Sequence, residues 1–175
     1  MYKIVISGPE SCGKTELAGY LSKQLSSTFI PEYAREYVEK LGRPYQVEDV
    51  EHIALVQWKQ YQENAKKDHP YLIMDTFLVI TKIWFKEVFG IVPEWIDRCL
   101  EEAETDLYLL CFPDLEWVKD PVRENPGERR KELFDLYHNE ITRLGITCEV
   151  IRGRGETRFA NALSAINKLI PGLKN

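Results

Sequence analysis

Gly8-Pro-Glu-Ser-Cys-Gly13-Lys14-Thr15 matches the spacing G-x-x-x-x-G-K-[ST] at every specified position. Glycines at both ends allow backbone angles that turn successive N–H groups inward around a phosphate. A helix starting near Lys14 would add the positive end of its dipole. Lys14 supplies a mobile cation for terminal phosphates, and a hydroxyl such as that of Thr15 ligates Mg²⁺. The segment therefore reads as a nucleoside triphosphate site, with Gly8, Glu10, Ser11, Cys12, Gly13, Lys14 and Thr15 around the phosphates. Cys12 either lends only its backbone N–H or carries a thiol activated by the helix start.

Three further charged groups suit phosphoryl chemistry. Asp75 closes an apolar run, the place of an Mg²⁺-organising carboxylate, a role compatible with capping a helix beginning near Phe77. Glu32 follows Pro31 at the end of a short β-branched run and could take a proton from an acceptor hydroxyl, or simply favour a helix start. The stretch Trp117 to Lys131 carries Arg123, Arg129 and Arg130 among acidic residues. Arginines there could close over a transferring phosphate as a lid, or sit on a solvated helix start.

Periodicity supplies the elements that must position these groups. Apolar, β-branched runs at Lys3–Ser7, Thr28–Ile30, Tyr71–Met74, Leu107–Phe112 and Ile146–Ile151 read as five buried strands. Between them lie helical patterns: one through Leu17, Ala18, Leu21 and Leu25, then Tyr33–Leu41 and Glu48–Lys67. Phe77–Phe89, Pro93–Glu104 and Glu128–Leu144 follow, and a last helix runs to Ile170, ended by Pro171. Alternating strands and helices predict an α/β fold with a parallel sheet covered on both faces. Its ligand edge, at the strands' C-terminal ends, collects the phosphate loop, Glu32, Asp75, a charged segment over 113–126 and Arg152–Gly155.

Composition narrows the class. The 175 residues carry 23 Lys+Arg and 28 Asp+Glu, a formal charge of −5. A general nucleic-acid binder advertises a basic surface, which this balance excludes, so any polyanion must be held locally. The four cysteines and three histidines are scattered without metal or disulfide spacing. No signal peptide or membrane-length apolar run is present. The expectation is a cytoplasmic single domain, residues 1–175, with a lid at about 113–131, no nucleic-acid or membrane partner, and an open oligomeric state. Neither Asn-Lys-x-Asp nor a switch Asp-x-x-Gly follows, which disfavours a GTPase.

Longer segments carry a resemblance. The phosphate loop, Pro31-Glu-Tyr-Ala-Arg-Glu-Tyr37, Asp75-Thr76 with Thr81-Lys-Ile-Trp84, Pro113-Asp-Leu-Glu-Trp117, Asp120-Pro-Val-Arg-Glu-Asn-Pro126 and Gly153-Arg-Gly-Glu-Thr-Arg158 occur in order. Together they resemble the ribosylnicotinamide kinase domain of bacterial NadR-type proteins. That resemblance implies a P-loop, nucleoside/nucleotide-kinase-like core with sheet order 2-3-1-4-5. It implies ATP and Mg²⁺ as cofactors, and phosphorylation of nicotinamide riboside to nicotinamide mononucleotide in NAD salvage.

Carried onto this chain, the resemblance puts Lys14, Glu32, Asp75 and Arg123 in catalysis, and Thr15 and Asp75 on the metal. It adds Arg129 and Arg154 to the nucleotide side. Glu32, Tyr33, Arg35, Asp75, Trp117 and Asp120 fall on the acceptor side, with Trp117 stacking on the nicotinamide ring or plugging the lid. Which of Glu32 and Asp75 is the base stays open. Tyr37 and Trp84 are weaker aromatic candidates, and Arg152 lies near the adenine. The length leaves no room for the repressor and adenylyltransferase domains of multidomain relatives, and no His-x-Gly-His occurs. The alternatives are a P-loop kinase for another small metabolite, or an ATP-binding regulatory module without an acceptor.

Overall fold

A computed structural model describes residues 1–170. Five strands, β1 (Tyr2–Ser7), β2 (Thr28–Ile30), β3 (Tyr71–Asp75), β4 (Leu107–Cys111) and β5 (Cys148–Ile151), form one sheet in the order β2-β3-β1-β4-β5. Every pairing is parallel, with Ile4 opposite Ile73 on one side and Leu107 on the other. The order expected from the resemblance is the order observed.

Period-two alternation divides the core between two faces. Val5, Met74, Tyr108 and Leu110 face one layer, packed by α3 (Val47–Asn64), α4 (Leu78–Trp84), α5 (Glu94–Glu102) and α6 (Arg129–Arg143). Ile4, Ile6, Leu109 and Cys111 face the other, under α1 (Lys14–Gln24) and α7 (Glu156–Leu169). Each such side chain, fully buried, contributes roughly 1.5–3 kcal/mol. The remaining helix, α2 (Tyr33–Leu41), follows β2 at the ligand edge and is stopped by Gly42 at φ 66°.

Several boundaries differ from the sequence expectation. The third helix ends at Asn64, and Pro93 caps α5 from outside rather than lying in its first turn. The pattern Phe77–Phe89 is not one helix: α4 gives way to a π-turn over Phe85–Phe89. A hydrophobic period close to 3.6 cannot register one widened turn, and such turns gather at functional sites. The last helix stops at Leu169, and the stop expected at Pro171 lies outside the described residues. No helix among the described residues is long and apolar enough to cross a membrane.

Candidate active site

The loop after β1 begins at Gly8, with φ 141°. A Cβ there would stand 2.7 Å from the Cys111 carbonyl and 2.8 Å from Cys12 Sγ, so the loop passes β4 too closely for any side chain. Gly13, at φ 76°, turns the chain into α1. Between them, four consecutive carbonyls are taken by cations. Pro9 O accepts from Lys14 Nζ at 2.8 Å, and Glu10 O from Arg130 Nε at 2.9 Å. Ser11 O accepts from Arg130 Nη2 at 3.0 Å, and Cys12 O from Arg158 Nη1 at 2.9 Å. With the carbonyls drawn outward, the loop N–H groups are left for an anion.

Arg130 and Arg158 are 6% and 2% exposed. Arg130 is thus neither a phosphate-facing lid arginine nor part of a solvated face; it buttresses the loop and also donates to Leu115 O at 2.9 Å. Arg158, which no motif singled out by role, bonds in addition to the Asp114 carboxylate. Cys12 is 1% exposed, and its thiol donates to Pro9 O at 2.9 Å. Burial raises its pKa, but a hydrogen bond with Cys111 and the charges of Lys14, Arg158 and Arg130 outweigh that and bring it down to about 7.

A cleft of about 330 Å³ opens in front of the loop. Gly8, Glu10, Ser11, Cys12, Gly13, Lys14, Thr15, Glu32, Arg35, Arg123 and Arg129 all line it. Asp75 lies just behind the cleft wall, at the end of β3. It is 1% exposed and neither carboxylate oxygen has a hydrogen-bond partner. Nor does it cap a helix: Phe77 occupies the cap position of α4, without a side-chain cap bond. Thr76 between them adopts φ 67°, strained for a β-branched residue, and its hydroxyl is unpartnered too. Burial raises the Asp75 pKa, while the Thr15 hydroxyl, which approaches the carboxylate without the geometry of a full hydrogen bond, and the Lys14 ammonium pull against it.

Glu32, at the start of α2, is half-buried in the cleft. Burial lifts its pKa; Lys14 opposes this, Asp75 adds to it, and Arg35 and Arg123 oppose it. Lys14 in turn is held fully charged: burial disfavours its charge, but Cys12, Glu32 and Asp75 more than compensate. One lysine and two carboxyls of raised pKa thus meet at the ligand edge of the sheet, an arrangement typical of reacting centres.

Five other residues predicted for the site are placed elsewhere. Tyr33 is turned from the cleft and shares a hydrogen bond with His52 Nε2 at 3.0 Å. Trp117 donates from Nε1 to Glu10 Oε2 at 3.2 Å rather than facing the cleft. Asp120 stands behind the cleft wall, paired with Arg35 at 2.8 Å and Arg123 at 2.9 Å, so it orients two cleft arginines. Arg154 is exposed and donates to Asp114 O at 3.2 Å, and the Arg152 guanidinium lies 3.4 Å from the Phe112 ring centroid. Arg129 reaches the cleft but is paired with Glu87 of the π-turn and with Glu132.

The cleft's aromatic wall is instead Tyr45 and Trp84, edge to face with centroids 4.8 Å apart. Gln57 and Thr81 lie at the same wall, joined by a 2.6 Å hydrogen bond. Trp84 occurs within a quoted segment; Tyr45 and Gln57 carried no local signal.

Comparison with known proteins matches residues 3–158 to the model of a family described as AAA domain. The chain is 29% identical over 135 residues to the trifunctional NAD biosynthesis/regulator protein NadR of Salmonella typhimurium strain LT2. It is 29% identical over 138 residues to the Escherichia coli K12 protein of the same name. These alignments cover 75% and 76% of this chain, which spans about a third of either relative (33% and 34%). Among solved structures, a NadR protein in complex with NR superposes with TM-score 0.83 at 21% identity, over 99% of this chain and 52% of that one. A thymidylate kinase from Ehrlichia chaffeensis superposes with TM-score 0.69 at 16% identity, over 96% and 98%. A NadR protein in complex with NAD and AMP-PNP gives TM-score 0.75 at 20% identity, over 99% and 50%.

Proposed function

We propose, since this chain belongs to the AAA domain family, whose model matches residues 3–158, that its phosphate loop serves a kinase that transfers the γ-phosphoryl group of ATP to nicotinamide riboside. The carrying observation is the meeting of Lys14 with two carboxyls of raised pKa at a cleft whose far wall is aromatic. Its likeness to NadR proteins, one of them bound to NR and another to NAD and AMP-PNP, supports that choice of nucleotide and acceptor. We read residues 1–170 as one kinase domain with a lid between β4 and α6.

The two carboxyls divide the work by position. Glu32 lines the open cleft and so can reach the acceptor. It takes the proton of the ribose 5′-hydroxyl as that oxygen bonds to the γ-phosphorus and the bond to the leaving ADP oxygen breaks. Asp75 faces inward beside Thr15, with both oxygens unpartnered. Hard oxygen donors of this kind suit Mg²⁺, which keeps most of its waters and phosphate ligands; the ion would neutralise charge on the β- and γ-phosphates. Lys14 leaves Pro9 O for the terminal phosphates, and Arg123, held by Asp120, faces the transferring group from the lid.

The flat cationic ring of the acceptor belongs against Trp84 and Tyr45, where an indole face meets a cation favourably. Trp84→Ala is expected to raise the acceptor KM about tenfold, leaving the ATP KM within about threefold. Trp117→Phe, which keeps a flat ring and removes one N–H, should act on kcat and not on acceptor KM. Steady-state kinetics of the two variants check this, and the reverse pattern would return the stacking role to Trp117. The reading as a whole is tested by incubating the protein with Mg-ATP and nicotinamide riboside. ADP and nicotinamide mononucleotide, identified by mass spectrometry, should form together; ADP at background level would overturn it.

A further inference from the structure

Glu10 was expected beside the nucleotide, yet its carboxylate is fully engaged elsewhere. Oε1 accepts from the Glu124 backbone N–H at 3.0 Å and from Asn125 Nδ2 at 2.9 Å. Oε2 accepts from the Asn125 backbone N–H at 3.0 Å and from Trp117 Nε1 at 3.2 Å. Each oxygen therefore takes one backbone and one side-chain donor, all four from the segment between β4 and α6. The donors lie 107 to 115 residues away along the chain. None of them is charged.

Nearby contacts hold the same lid segment to the phosphate loop and to the cleft wall. Val118 N–H donates to Ser11 Oγ at 3.1 Å, and Tyr45 of the cleft wall donates to Glu124 Oε2 at 2.9 Å. Arg123, which lines the cleft and whose guanidinium is held by Asp120 and by Val118 O at 2.6 Å, immediately precedes the Glu124 N–H that Glu10 holds.

From this geometry we infer that Glu10 is a positioning residue, a latch that ties the lid to the phosphate loop and fixes Arg123 over the cleft. The inference rests on the kinase reading for its effect on turnover, but not for the latch itself. A negative side chain inside a phosphate-binding loop works against a triphosphate by simple repulsion. Four hydrogen bonds disperse that charge, burial notwithstanding, and hold the carboxylate ionised. Removing the charge therefore loosens the lid without weakening, and even favouring, nucleotide binding. A residue that merely maintains the fold would not separate those two effects.

Glu10→Gln is the decisive substitution. The amide retains one accepting oxygen and sets an NH₂ against two N–H donors, so at least one oxygen's pair of bonds is lost. Backbone amide exchange at Glu124 or Asn125, whichever loses its acceptor, should accelerate by at least about tenfold, the equivalent of one charge-assisted hydrogen bond. The Trp117 indole N–H resonance should move, while exchange in β1, β3 and β4 stays as in the parent protein. In the kinase assay kcat should drop about tenfold with the ATP KM unchanged or lower.

Unchanged exchange at both amides with an unmoved indole resonance would overturn the latch. Loosened amides with parental kcat would overturn its positioning role. Should Glu10→Gln fail to fold, Asn125→Ala removes one side-chain donor from the lid side and is read by the same amide and indole signals. A parent protein that makes no nicotinamide mononucleotide would strike the kinase reading, and the exchange data would still decide the latch.

Discussion

Asp75→Asn is expected to raise the melting temperature of the free protein while cutting turnover by about two to three orders of magnitude. The carboxylate is 1% exposed with both oxygens unpartnered, and an unsatisfied buried charged group costs at least about 1–3 kcal/mol. An isosteric amide removes the charge and keeps the volume. Each kcal/mol recovered corresponds to roughly 2–4 °C in a domain of this size. In the proposed mechanism turnover falls because the group that would organise charge at the β- and γ-phosphates has gone. A melting curve answers the first half without any substrate; a variant less stable than its parent would contradict it.

The gain should also depend on pH, with a definite sign. The native Asp75 pKa is raised above its ordinary 3.8, so the folded state binds this proton more tightly than the unfolded state. Stability tied to Asp75 is then greatest below pH 3.8 and is lost as pH rises through the native pKa. The stabilisation of Asp75→Asn over the parent should accordingly grow across that interval and level off above it.

Glu32→Gln is expected to fail differently. General-base catalysis contributes about 10²–10⁴ in rate, and kcat should drop within that range. In the proposed mechanism Glu32 serves the acceptor hydroxyl and not the phosphates, so ATP affinity should persist, measured by calorimetry with a non-hydrolysable analogue. Loss of ATP binding with Glu32→Gln, and its retention with Asp75→Asn, would exchange the two roles. Because Glu32 is only partly buried while Asp75 is 1% exposed, its substitution should shift stability less than that of Asp75.

What could be read from the chain was local in sequence. The phosphate loop, the five strands and the position of Asp75 at a strand end are each contained within a few residues, and the strand-helix alternation dictated the sheet's parallel form. The resemblance added the sheet order. What escaped was carried by contacts between distant segments. Glu10 looked like a nucleotide ligand because its lid donors are more than a hundred residues away. Arg130 could be read as a lid arginine or as a solvated charge because nothing near it shows that its guanidinium reaches Glu10 O and Ser11 O.

Trp117 illustrates the limit most clearly. An indole in a loop has a ring face and an N–H, and local sequence does not say which the protein uses. Here the N–H bonds to Glu10, while Tyr45 and Trp84, from segments 39 residues apart, build the aromatic wall. The π-turn that brings Glu87 to Arg129 is hidden for a related reason, since one extra residue in a turn leaves the apolar spacing almost unaltered.

The four consecutive carbonyls at Pro9 to Cys12, each held by a cation, have a consequence for how the loop meets its ligand. A chain of peptide dipoles is ordinarily free to rotate, and a phosphate must align it at an entropic cost. Here two buried guanidiniums and the Lys14 ammonium hold the dipoles in the receiving orientation, so alignment is completed during folding. The anion hole is preorganised, and only Lys14 has to let go and re-aim. This also gives the net charge of −5 a different meaning. Arg130 and Arg158 act inward on the backbone, so the cationic charge at the site comes from Lys14 and the cleft arginines beside the held loop dipoles instead of from a basic surface.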